Sequence, residues 1–141
     1  MQRSAFLQAY PRSETASQFV DQMLALILQR SAVDLSSLRT NLITLYDGSD
    51  NGRAAILRQL ADNPALIDAE YNASFVLNEY FSYLRRDPDS GGYQFWLGQV
   101  NRFPLRDVEI QHAMVCSFIT SIEYQRRFGS LVTHTNAECP Q

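Results

Sequence analysis

Lysine is absent from this chain: all 12 basic residues among its 141 are arginine. A phosphate-cradling loop that ends in Gly-Lys-Ser/Thr is therefore excluded. Arginine favours forked pairs with carboxylates and stacking on rings, although a nucleotide-level bias of the source genome accounts for the choice equally well. With a formal charge of −3, the chain offers no single-sign field that would attract nucleic acid. No apolar run reaches the ~18 residues of a membrane-spanning helix. The opening "MQRSAFLQAYPRS" has no apolar segment followed by a small-residue cleavage site, so a secretory leader is not expected there.

Histidine and cysteine are scarce, two of each, and the familiar catalytic spacings are missing. There is no Gly-x-Ser-x-Gly elbow and no His-Glu-x-x-His. The carboxylate pairs Asp68/Glu70 and Asp107/Glu109 stand two apart, which sends them to different helix faces. They do not make an acid–base dyad. An enzyme is the least favoured class.

What is present is ordinary for a globular protein: 45% apolar and 19% charged residues, enough to build a core. Apolar side chains recur at steps of three and four throughout. Ala16, Phe19, Val20, Met23, Leu24, Ile27 and Leu28 form one stripe, opened by a Thr15–Gln18 capping box. A second helix is expected from Asp34 or Leu35 to Tyr46 and a third from Arg53 to Ala61. Asn63-Pro64 opens a helix-compatible stretch to Arg86, with a break placed near Asn72. Helices then follow Asp89, Pro104 and Ser121, the last ending at Gly129. The fold class is all-α, a bundle of about six to seven helices.

The chain also repeats itself: "FVDQMLALILQR" at 19–30 aligns with "FVLNEYFSYLRR" at 75–86. Two degenerate three-helix repeats are expected, 15–70 and 71–129, in one compact domain. Residues 1–14 then form an N-terminal extension and 130–141 a tail.

The corner "RRDPDSGG" at 85–92 admits two accounts. Pro88 ends the preceding helix, Asp89 or Ser90 caps the next, and Gly91 and Gly92 permit tight backbone approach. Alternatively Asp87 and Asp89 hold calcium, although the further acids of an EF-hand are missing. The "DGSDNG" loop at 47–52 is similarly incomplete. No other cofactor is expected.

His112 and Cys116 are one helical turn apart and share a face. With His134 and Cys139 they make a possible Cys₂His₂ zinc set of unusual spacing. A thiol–imidazole pair is also conceivable, but Cys116 beside Met114, Val115 and Phe118 reads as core. A Cys116–Cys139 disulfide is expected ahead of zinc, with two free thiols the alternative. The bridge would pin the tail and contribute about 3–4 kcal/mol in the chain-entropy model.

The aromatics Tyr80, Phe81, Tyr83, Tyr93, Phe95 and Trp96 could line a ligand or pigment groove, but at these spacings they read as core, with Phe81 the exposed exception. Tyr71, Phe81 and Phe103 are the candidates for binding a partner.

The segments "FVLNEYFSYLRRDPDSGGYQFWLGQV" and "MVCSFITSIEYQRRFG" resemble the bacterial domain of unknown function family 4214. Phe75, Val76, Tyr83, Leu84, Arg86, Pro88, Asp89, Gly92, Phe95, Trp96, Ser121, Glu123 and Tyr124 match its pattern in order. The first half resembles a degenerate copy without the double glycine and the tryptophan. The family is distantly similar to phycobilisome linker domains. The resemblance implies a helical module of secreted or surface proteins, and no catalytic residues come with it. It also implies an oxidising compartment, which favours the disulfide.

The expected function is a non-enzymatic scaffold or protein-interaction module of a bacterial protein, placed extracellularly, at the cell surface or in the periplasm. Its partners would be other subunits or domains of a longer chain. Alternatives are an accessory subunit of a periplasmic or membrane-bound assembly, and a calcium- or carbohydrate-binding module using 87–92 and Trp96.

Overall fold

The structure is a computed structural model that describes residues 4–129 and Cys139. It is all-helical, and no strand occurs among the described residues. Among the described residues, eight α-helices follow in order: α1 Ser4–Ala9, α2 Ala16–Ser31, α3 Arg39–Thr44, α4 Asp50–Ala61, α5 Pro64–Glu79, α6 Ser90–Val100, α7 Val108–Ile119 and α8 Ile122–Phe128. A 3-10 turn, Ser36–Leu38, leads into α3, and a π-helical stretch, Tyr80–Leu84, continues α5.

The chain divides into two compact units, Met1–Ala69 and Glu70–Gln141. In the first, α2 starts where its capping box closes: the Gln18 amide donates to Thr15 Oγ1 at 3.2 Å, and the Thr15 amide donates to Gln18 Oε1 at 2.9 Å. Its stripe then buries Phe19, Val20, Met23 and Leu24, which join Leu35, Leu42, Ile56 and Leu60 in one core. Residues 4–14, set apart as an extension in the sequence, bring α1 and pack Phe6 and Tyr10 onto that core.

The starts of α3 and α4 are among the boundaries that differ from the expected ones, as is that of α7, which Asp107 caps at Val108. The Asp34 carboxylate accepts from the Ser36 amide at 2.9 Å, and this local turn, followed by the 3-10 turn, delays α3 to Arg39. The fourth helix starts early, at Asp50, because Ser49 Oγ caps the amides of Asn51 and Gly52. Asp47 Oδ1 in turn accepts from the Ser49 amide at 2.9 Å and its hydroxyl at 2.6 Å. The "DGSDNG" loop is thus a cap network. Gly52 has no room for a side chain, since a Cβ there would lie 2.8 Å from the Asp47 backbone nitrogen.

In the second unit α5 runs unbroken through Asn72. Its side chain donates to Asn101 Oδ1 at 2.9 Å, so the amide is engaged away from its own backbone and the helix continues. The core of this unit is Val76, Tyr80, Leu84, Val100, Met114 and Phe118, with Phe75, Tyr83, Tyr93, Trp96, Leu97, Ile110 and Tyr124 packed around it. Gly129 closes α8 with φ of +92°, a geometry glycine adopts without a steric penalty.

Candidate functional site

The corner between the π-helical stretch and α6 gathers the polar groups of the second unit. Arg85 adopts a left-handed backbone, φ +52°, and Pro88 lacks an amide, so the helix cannot continue. Asp89 caps α6: Oδ1 accepts from the Gly92 amide at 2.8 Å. Arg86 forks onto Glu123, with Nε to Oε1 at 2.6 Å and Nη2 to Oε2 at 3.0 Å. Its third nitrogen, Nη1, donates to the Asp87 carbonyl at 2.9 Å and lies 3.5 Å from Asp89 Oδ2. The guanidinium also sits 5.2 Å from the centre of the Tyr80 ring. One arginine thereby ties the bend, its cap and α8 together.

The electrostatics follow the same wiring. The Arg86 guanidinium holds the Glu123 carboxyl below its ordinary value, and the Gly92 amide does the same for Asp89. Both groups favour folding above the usual carboxylate range and lose that contribution as pH falls. By sequence spacing alone, Arg126 and Arg127 near Glu123 read as a solvated charged face. Arg127 does approach it, at 3.9 Å, but the forked partner is Arg86, 37 residues away. The signal available was that Arg86 and Glu123 both belong to the resembling pattern.

Gly92 is dictated by space. A Cβ there would collide with the Tyr80 hydroxyl and stand 3.1 and 3.3 Å from the Asp89 oxygens. Tyr80 is 3% exposed and cannot swing away. Gly92→Ala is expected to destabilise by roughly 1–3 kcal/mol, although alanine is the better helix former by about 1 kcal/mol. In a Tyr80→Phe background the penalty should shrink; denaturant titration of the four chains checks it.

The calcium candidates are placed accordingly. The Asp89 carboxylate is engaged as cap and ion-pair partner, while Asp87 contributes its carbonyl to Arg86 and is exposed. In the other acidic loop, Asp50 is forked by Arg12 at 3.1 and 2.6 Å. Among the described residues, the only group of three or more His, Cys, Asp or Glu side chains close enough to share an ion is His112, Cys116 and Cys139.

Cys116 and Cys139 form the expected disulfide, with Cα atoms 5.3 Å apart. His112 Nε2 lies 3.4 Å from Cys116 Sγ. His134 lies outside the described residues.

The aromatic residues sort unevenly. Trp96 is half-buried and packs against the unit's own core, 5.7 Å from the Phe118 ring. Phe81 and Phe103 are exposed, each 44%. Tyr71 corrects the expectation of an open ring. Arg106 lies over it at 4.5 Å, and Gln111 donates to its hydroxyl at 3.3 Å. Phe95 corrects the core assignment: it is 57% exposed, leaning edge-on to Trp96 at 5.2 Å.

Glu79 is the unusual member of the core-facing positions. One carboxylate oxygen is buried without a hydrogen-bond partner, and desolvation raises its pKa. A raised acid favours the fold at low pH and loses that contribution as pH rises through its folded value. Glu79→Gln should match the parent in stability near pH 4 and exceed it increasingly toward pH 7, read as melting temperature against pH. An equal difference at all pH values would refute this.

No curated protein and no solved structure matches the chain. The model of a domain of unknown function, DUF4214, matches residues 67–128, a span that holds Arg86, Asp89, Gly92, Trp96 and Glu123. The segment 67–128 belongs to the DUF4214 family.

Proposed function

We propose that the chain is a non-enzymatic helical module with which a bacterial secreted or surface-associated protein holds another protein. The observation that supports this is a contrast within the second unit. Its corner polar groups are committed to one another, as Arg86, Asp89 and Glu123 illustrate. Large apolar side chains stand open instead: Phe81, Phe95 and Phe103, with Val108 and Ile122 in the first turns of α7 and α8. Phe95 is held edge-on to Trp96, so a partner would meet a ring already fixed in place. Fixed aromatic rings are the anchor type that dominates protein interfaces, because little side-chain freedom is lost on docking.

The Cys116–Cys139 bridge supports an oxidising compartment. No helix among the described residues is long and apolar enough to cross a membrane.

Photo-crosslinking amino acids placed at 81, 95 and 103 in the native cell test the reading. One defined protein adduct is expected from those positions and none from the exposed polar controls Asn78 and Gln94. Adducts of equal yield at all five positions, or none at any, would refute docking through these rings.

A further inference from the structure

The disulfide lies beside a group that a simple staple does not need. His112 sits one turn before Cys116 on α7, on the same face, with Nε2 3.4 Å from Sγ. Cys139 Sγ completes a set whose ligand atoms all lie within 4.8 Å of one another. Around them is an open groove of about 360 Å³, lined by Glu109, His112, Ala113, Cys116, Thr120 and Cys139 among others. His112 is exposed, Cys116 half-buried and Cys139 buried, so an ion would enter the set from the His112 side.

We infer that this corner of α7 is a redox-gated zinc site: after reduction, His112 Nε2, Cys116 Sγ and Cys139 Sγ bind one Zn²⁺. The inference is independent of the docking role. Its geometric basis is specific. Zinc bonds of about 2.3 Å to sulfur and 2.0–2.1 Å to nitrogen, at tetrahedral angles, place N and S ligands about 3.6 Å apart. The His112–Cys116 separation of 3.4 Å is already close to that. The two sulfurs, bonded at 2.05 Å, must part to about 3.8 Å by the same arithmetic. Side-chain rotation at the cysteines supplies such a shift.

The chemistry balances as follows. A dithiol delivers two electrons and two protons to the S–S bond, which breaks to two thiols while the reductant becomes a disulfide. Zinc then takes two thiolates and the neutral imidazole, releasing the two thiol protons to solvent. Water fills the fourth position. A disulfide oxidant reverses this by thiol–disulfide exchange, taking two electrons from the thiolates and two protons from solvent and leaving as two thiols. The Cys116–Cys139 S–S bond re-forms, and the ion is expelled because a disulfide offers no thiolate.

The test uses the whole chain, reduced anaerobically with a phosphine, desalted and titrated with Co²⁺ and then Zn²⁺. The expected result is one equivalent of cobalt with thiolate-to-metal charge transfer in the near ultraviolet and tetrahedral bands in the visible. Zinc should bleach both, and the oxidised chain should show neither. Loss of an outer-shell partner costs about 10–100-fold in metal affinity, so His112→Ala, which removes a direct ligand, should cost no less. Far-UV circular dichroism of His112→Ala with its disulfide intact, and a parallel His112→Gln chain, separate ligand loss from misfolding. Zinc should also slow alkylation of Cys139 in the reduced parent. A reduced chain without the charge-transfer band, or a His112→Ala chain of unchanged affinity, overturns the inference.

Discussion

Arg53→Met is expected to remove about 3–5 kcal/mol of stability, the cost typical of breaking a buried ion pair from one side. Arg53 is 1% exposed and lies 4.8 Å from the centre of the Phe19 ring and 5.9 Å from that of Tyr46. Its two terminal nitrogens donate to the carbonyls of Tyr10 at 2.7 Å and Pro11 at 2.5 Å. Glu14 stands 3.8 Å away, itself largely buried, with one oxygen that has no hydrogen-bond partner. The arginine therefore satisfies two backbone acceptors and offsets the charge of a nearby carboxylate while its flat faces pack on rings.

Methionine would keep much of the packing, leave both carbonyls unpaired and strand the Glu14 charge. Lysine should also fail, because a point charge cannot serve two carbonyls in a fixed fork. Adding Glu14→Gln to Arg53→Met should recover part of the loss by removing the stranded charge. Urea titrations of the parent, both single variants and the double variant measure each step. An Arg53→Met chain within about 0.5 kcal/mol of the parent, the range of an ordinary surface change, would contradict the buried-clamp description.

The second large effect belongs to Phe118. It is 4% exposed, and its ring meets Tyr80 edge-on at 4.9 Å and Trp96 edge-on at 5.7 Å. Phe118→Ala is expected to cost about 3–5 kcal/mol through lost burial and an unfilled cavity. Roughly 0.5–1.5 kcal/mol per aromatic pair comes from ring geometry beyond area. Phe118→Leu keeps the volume approximately and should lose mainly that second part. Trp96 is the chain's single tryptophan, so its emission reports directly on this contact. A red shift with Phe118→Ala is expected; unchanged emission would place the indole outside the core.

These two residues mark what the sequence made legible. Phe118 and Met114 were readable from helical spacing, as were the Thr15–Gln18 box and the Asp89 cap, because each depends on neighbours within one or two turns. Arg53 was not. Its partners at Tyr10 and Pro11 are 43 and 42 residues away, and a lone arginine at the start of a helix reads as solvated. The Arg86–Glu123 fork was hidden for the same reason. Phe95 was misplaced because spacing assigns a helix its apolar face without showing how many neighbours arrive to cover it. Tyr71 was misplaced in the opposite sense: Arg106 and Gln111 cover it from positions no local pattern links to it. Asn72 looked like a break because the acceptor that engages it, Asn101, lies beyond the corner.

In the proposed docking role Asp89 serves as a helix cap rather than an ion ligand, which leaves the open rings to carry the function. Thermal melts of the parent and Asp89→Ala, each with and without millimolar calcium, test that directly. The expected result is a lower melting temperature for Asp89→Ala by an amount that calcium does not alter, and no calcium response in the parent. A saturable rise in the parent's melting temperature with calcium, lost in Asp89→Ala, would contradict it.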